Sequence, residues 1–162
     1  MPVNRIKITL FQVVLIGVVS LFTLSPVAAE DKNFGLGIIV GEPTGLSANY
    51  FLTPDNSIDL AFAWNVSGNN DTVLHADYLW YKHGFFQAGK AQMPLYFGVG
   101  GRMVFRDNKS DKFGIRVPVG VTYRFANPKA LELFGEVAPI LDLAPSMKLD
   151  LNVGIGVRFY FL

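Results

Sequence analysis

Two histidines, His75 and His83, are the side chains of this sequence best able to exchange a proton near neutral pH. His75 stands two residues before Asp77, so in an extended segment the two share a face. His83 falls in an expected turn beside no evident nucleophile. General acid–base catalysis requires partners within hydrogen-bond reach, and a His75–Asp77 pair serves equally well as a hydrogen-bonded structural element. No glycine loop precedes a helix to hold a phosphate, and no metal-ligand spacing is evident. Cysteine is absent, which excludes disulfides, a lipid-modified N-terminal Cys and thiolate metal sites. No catalytic, cofactor-binding or metal site is therefore expected. The sequons Asn65-Val66-Ser67 and Asn108-Lys109-Ser110 read as chance matches.

The remaining chemistry is ionic. Asp59, Asp77, Glu132, Glu136 and Asp150 can meet Arg102, Arg116, Arg124 and Arg158, with His75 on the same face. Planar Arg suits bidentate pairing in a confined space. What must position these groups is a set of strands, because apolar and non-apolar residues alternate with a period of two. Leu149, Leu151, Val153, Ile155, Val157, Phe159 and Phe161 fall on one face, against Asp150, Asn152, Gly154, Gly156, Arg158 and Tyr160 on the other. The same rule over the chain predicts strands at 33–41, 45–52, 57–66, 72–81, 94–105, 113–125, 130–138 and 147–161. Turn-forming segments separate them, including longer connections at Lys82 to Met93 and Pro139 to Ser146. Eight strands of about ten residues suit tilted crossings of a bilayer and an all-β, antiparallel up-and-down barrel.

Which face points outward decides between a membrane barrel and a soluble ligand-binding barrel of lipocalin type, whose apolar face is inside. Lys32, Lys82, Lys90, Lys109, Lys112, Lys129 and Lys148 are expected in loops, turns or strand ends, and the non-apolar face is rich in glycine, such as Gly35, Gly37, Gly98, Gly100, Gly114, Gly120, Gly154 and Gly156. A crowded lumen accounts for this better than a wet exterior. The expectation is a transmembrane barrel with a polar, plugged lumen formed by the charged set and His75. Tyr50, Tyr78, Trp80, Phe97, Tyr123, Phe125, Phe159 and Phe161 cluster at one end of the expected strands as an aromatic girdle, as do Phe51, Tyr81, Tyr96 and Tyr160. Ile140, Leu141 and Leu143 lie in an oddly apolar connection, a candidate interaction site or a strand continuing above the membrane.

At the N-terminus, Arg5 and Lys7 precede the apolar run Leu10 to Phe22, and small residues follow up to Ala29. This predicts a cleavable signal peptide over 1–29 and a barrel domain over 30–162. Arg5 and Lys7 are two of 14 basic residues; without them 12 face 13 acidic ones, a net charge of −1. A near-neutral domain offers no electrostatic footprint for nucleic acid.

The size, the signal and the final strand Leu149 to Phe161 resemble the small eight-stranded outer-membrane barrels that include the OmpA transmembrane domain and OmpX. Gly41 to Ala48, Leu74 to Trp80 and Glu136 to Pro145 resemble an uncharacterised family of short bacterial proteins of this kind. The resemblance implies residence in the outer membrane and contact with its lipid. It also implies recognition of the last strand by the outer-membrane assembly machinery, although the chain ends Phe161-Leu162 and not on the aromatic. Some barrels of that superfamily modify lipopolysaccharide with a lipid-facing His, Ser and acidic residue; His75 is instead expected inside. The reading is a monomeric, non-enzymatic, cofactor-free envelope protein of structural role. Surface interaction, a narrow pore and a soluble ligand-binding barrel are the alternatives, in that order.

Overall fold

The computed structural model describes residues 33–64, 71–88, 91–106, 109–125 and 130–161. The expected signal peptide, Lys32, Lys90, Lys129, the whole sequon Asn65-Val66-Ser67 and Asn108 of the second lie outside the described residues.

All regular structure is antiparallel β: β1 (Phe34–Glu42), β2 (Thr44–Thr53), β3 (Asn56–Trp64), β4 (Thr72–Ala88), β5 (Ala91–Phe105), β6 (Lys112–Arg116), β7 (Val119–Arg124), β8 (Leu131–Ala144) and β9 (Lys148–Phe161). Each strand pairs with the next in sequence through β5, and β8 pairs with β9. Together β6 and β7 form one stave between β5 and β8. Pairing of β9 with β1, from Phe34 opposite Phe161 to Glu42 opposite Val153, closes the ring. The result is an eight-staved closed barrel, and closure removes the free edges of the ring itself.

Three connections differ from the sequence reading. The expected strand 113–125 breaks at Val117-Pro118, because Pro118 has no N–H to donate to the ladder. The break is bridged by hydrogen bonds from Gly98 N to the Pro118 carbonyl (2.8 Å) and from Val117 N to the Pro139 carbonyl (3.0 Å). The segment Lys82 to Met93 is not a loop. Strands β4 and β5 continue as a two-stranded ribbon, pairing Phe86 with Met93 and Ala88 with Ala91 after a register shift between Lys82 and Phe86. Gly84 lies inside that irregularity at φ 87°, a backbone region that costs a side-chain-bearing residue strain. Finally, the expected connection from Pro139 is strand as far as Ala144, as the strand-continuing alternative has it: β8 pairs with β9 up to Asp142 opposite Lys148.

Burial alternates along the staves with an inverted sense. Ile38, Leu46, Val99, Val119, Val137, Val153 and Ile155 point outward and are 45% exposed or more, whereas Ser47, Asn49, Asp59, Arg116, Glu132 and Arg158 are buried. A water-facing exterior of this composition would be a very large apolar patch. The apolar face is therefore outside, against the lipocalin-like alternative.

Small residues on the inner face make room for large ones across the ladder. Gly37 lies opposite Arg158, and a side chain at Gly37 would collide with the Val157 carbonyl. Likewise a side chain at Gly120 would collide with the Tyr96 ring. Such large-and-small alternation is how a narrow barrel is filled.

Candidate functional site

The inner face holds three layers. Toward the end where β1 starts and β9 finishes, Phe51, Leu79, Tyr81, Tyr96 and Tyr160 form a buried cluster. Phe51, Tyr81, Tyr96 and Tyr160 are thus lumen residues and not part of the girdle. The alternation of their strands dictates this, since each is an odd number of residues from the outward Tyr50, Trp80, Phe97 and Phe159. The Arg124 guanidinium sits 4.4 Å from the Phe51 ring centre and donates from Nε to Glu132 at 2.9 Å. The Tyr160 hydroxyl donates to Glu132 at 3.0 Å.

In the middle layer, Arg116 donates from Nη1 to Asp77 at 2.7 Å and from Nη2 to Glu136, which also accepts from the Tyr96 hydroxyl at 3.0 Å. From the closing strand, Arg158 donates to Asp59 at 2.5 Å and to the Ser47 hydroxyl at 2.9 Å, with Glu132 at 3.5 Å. Its guanidinium lies 3.8 Å from the centre of the Phe134 ring. Asn49 donates to Asp59 and to Ser57, both at 2.9 Å. His75 stands between Asp59 and Asp77, with Nε2 at 4.0 Å and 3.8 Å from their carboxylates.

At the opposite end, Arg102 donates to Asp142 at 2.7 Å and to Asp150 at 2.9 Å, and Lys112 reaches Asp142 at 3.3 Å. Asp59, His75, Asp77, Arg102, Arg116, Arg124, Glu132, Glu136, Asp150 and Arg158 therefore all line the lumen. Arg124 and Asp150 are part-exposed at its two ends. Asp142 and Asn49 are network members that the sequence reading missed. Asp142 follows from continuing the strand alternation past Ala138, the signal that the flanking prolines obscured.

On the outside, Tyr50, Tyr78, Trp80, Phe97, Tyr123, Phe125, Phe159 and Phe161 face away from the lumen at one end. There Trp80 stacks on Phe97 at 5.7 Å, and Tyr78–Trp80 and Tyr123–Phe125 meet edge-on at 4.9 Å. Of the apolar candidate patch, Ile140 is 1% exposed and points into the lumen, so it belongs to the packing and cannot meet a surface partner. Leu141 and Leu143 are on the outer face, in line with Val137.

No family model and no curated protein matches the chain in sequence. In structure it is similar to the N-terminal β-barrel domain of Pseudomonas aeruginosa OprF, with a TM-score of 0.55 and 15% identity over 80% of this chain and 96% of that one. It is also similar to a de novo designed transmembrane β-barrel, with a TM-score of 0.51 and 16% identity over 83% of this chain and 100% of that one. The fold is that of a small transmembrane β-barrel. A designed neighbour shares it, so the barrel architecture by itself carries no activity. What distinguishes this barrel is the identity of its lumen residues.

Proposed function

We propose that the protein is an integral outer-membrane barrel, exported by its N-terminal signal, that contributes mechanically to the cell envelope without catalysis. The observation carrying this reading is the inverted burial: an exposed apolar exterior, belted by aromatics at one end, around a buried ionic interior. The packed lumen supports a structural role over a pore, since Arg116, Glu132 and Arg158 are at most 2% exposed and, with Asp77 and Asp59, tie five staves together across the section a solute would need. An enzymatic role is disfavoured because His75 is inside, where a lipid chain on the outer face does not reach. The partners in this reading are membrane lipid and, during insertion, the outer-membrane assembly machinery, and the protein acts as a monomer.

Fractionation of cells expressing the full chain, followed by gel migration of unboiled against boiled membrane protein, tests this. Heat-modifiable migration from the outer membrane is expected. Recovery as a soluble periplasmic protein would overturn the reading.

A further inference from the structure

The charge balance of the lumen is uneven between its layers. At the far end Arg102 and Lys112 offset Asp142 and Asp150, two cations for two carboxylates. In the middle and lower layers Arg116, Arg124 and Arg158 serve four carboxyl groups, Asp59, Asp77, Glu132 and Glu136, so that with all four ionised one negative charge has no cation among the described residues. The shortfall is local. Asp59 on β3 and Asp77 on β4 are direct cross-strand partners on the inner face, a like-charge pairing that destabilises a sheet unless something positive lies between them.

What points into that gap is His75. It is 2% exposed, its Nδ1 has no hydrogen-bond partner, and its Nε2 faces both carboxylates from beyond hydrogen-bond range. A cation held between the two carboxylates would complete Nε2, the ring nitrogen that faces them, and leave Nδ1 as it stands. One donor atom from each of Asp59, His75 and Asp77 lies within 4.8 Å of the others. Each carboxylate divides its oxygens. Asp59 gives Oδ1 to Asn49 and Arg158 and turns Oδ2 toward His75, while Asp77 shares Oδ2 between Arg116 and the His75 side and leaves Oδ1 without a partner. Space for this is kept by Gly100, opposite Asp77, where any side chain would collide with the Asp77 carboxylate.

We propose that Asp59, His75 and Asp77 bind one divalent transition-metal cation of the class that prefers mixed imidazole and carboxylate donors, with Zn²⁺ the best fit, inside the barrel lumen. This goes beyond the envelope role and does not depend on it. Bonds of about 2.0–2.1 Å in a tetrahedral site place ligand atoms about 3.3 Å apart. The 3.8 Å and 4.0 Å His–Asp spacings close to that by roughly half an ångström, and the two carboxylates, whose oxygens lie within 4.8 Å, by at most about 1.5 Å. The ion brings two positive charges against a shortfall of one, favours the ionised form of both carboxyls, and ties β3 to β4 at mid-lumen. Being an all-protein cluster of three donors, it keeps a fourth position for water.

The test uses barrel isolated from membranes of cells expressing the full chain without a histidine tag, stripped with chelator and titrated with Co²⁺ as a visible probe and Zn²⁺ as competitor. The expected result is d–d absorption saturating at one Co²⁺ per chain, displaced by Zn²⁺, with X-ray absorption of the Zn²⁺ form reading a single imidazole and oxygen ligands. His75→Gln and Asp59→Asn each weaken Co²⁺ binding more than about tenfold. His83→Ala, which removes the exposed His83–Asp55 contact, leaves it unchanged. Absence of d–d absorption in the wild-type barrel overturns the proposal whether or not the variants fold. So does saturation that survives His75→Gln but is lost in His83→Ala.

Discussion

Arg116 is held by two carboxylates and holds them in turn, Asp77 from β4 and Glu136 from β8. Removing it strands both in a dry interior, and breaking one partner of a buried pair costs roughly 3–5 kcal/mol. Arg116→Ala should therefore lower the urea midpoint of the barrel in vesicles, and adding Glu136→Gln should recover part of the loss because one stranded charge is gone. Gly37 makes a second residue-scale prediction. A side chain there meets the backbone of β9 and cannot be relieved by a rotamer change, so Gly37→Val should abolish heat-modifiable migration, whereas its outward neighbour Leu36→Val should retain it. At this scale much of the lumen is legible in sequence, because an Arg or Asp inside an alternating strand has one face available to it. The convergence of Asp59, His75 and Asp77 is not legible: the donors come from two strands, and their meeting depends on a register that no spacing along the chain encodes.

Among the elements, the strands are readable wherever β-branched and aromatic residues alternate with small or polar ones, as in β9. The failures have local causes. Pro118 splits a stave by removing one donor, yet its apolar pattern runs on unbroken, so alternation alone counts one strand where the backbone makes two. Beyond Tyr81 the alternation is lost because Gly84 and its bulge shift the phase, and the ribbon reads as a turn. Phe85 and Phe86 are exposed on that ribbon, outside the layers that tie the lumen together. Replacing residues 83–92 by a short turn should leave the unfolding free energy of the barrel within about 0.5 kcal/mol of wild type, as for surface changes elsewhere. A larger loss, measured by the same urea titration, would mean that the ribbon packs on the barrel end.

For the whole molecule, the register places Trp80 level with Asn56, eight residues along β3 from Trp64, and both indoles point outward. Eight residues span about 26 Å of strand, or about 20 Å of height at a strand tilt near 40°. This approximates the distance between the two interfaces of an outer-membrane barrel. Single-tryptophan variants, Trp64→Phe and Trp80→Phe, reconstituted in vesicles should both be quenched by bromines placed shallow in the acyl chains and neither by bromines at the bilayer centre. Equal quenching of both by aqueous acrylamide would count against a transmembrane placement.

The position of Arg158 on the strand that shuts the ring also has a temporal side. Its partners Ser47 and Asp59 come from the second and third strands, more than ninety residues earlier in the chain. Until β9 docks on β1, Asp59 lacks that cation, whereas Glu132 on β8 already faces Arg158 across the β8–β9 ladder, so the unclosed sheet carries exposed apolar walls around an unbalanced interior. Contacts so distant along the chain make folding slow and concerted. Leaving the folded state demands the same rupture in reverse: the seam can open only by separating Arg158 from Asp59 and Ser47 in a medium with little water. The barrel is thus latched by its final strand, and its persistence is a matter of rate as much as of equilibrium.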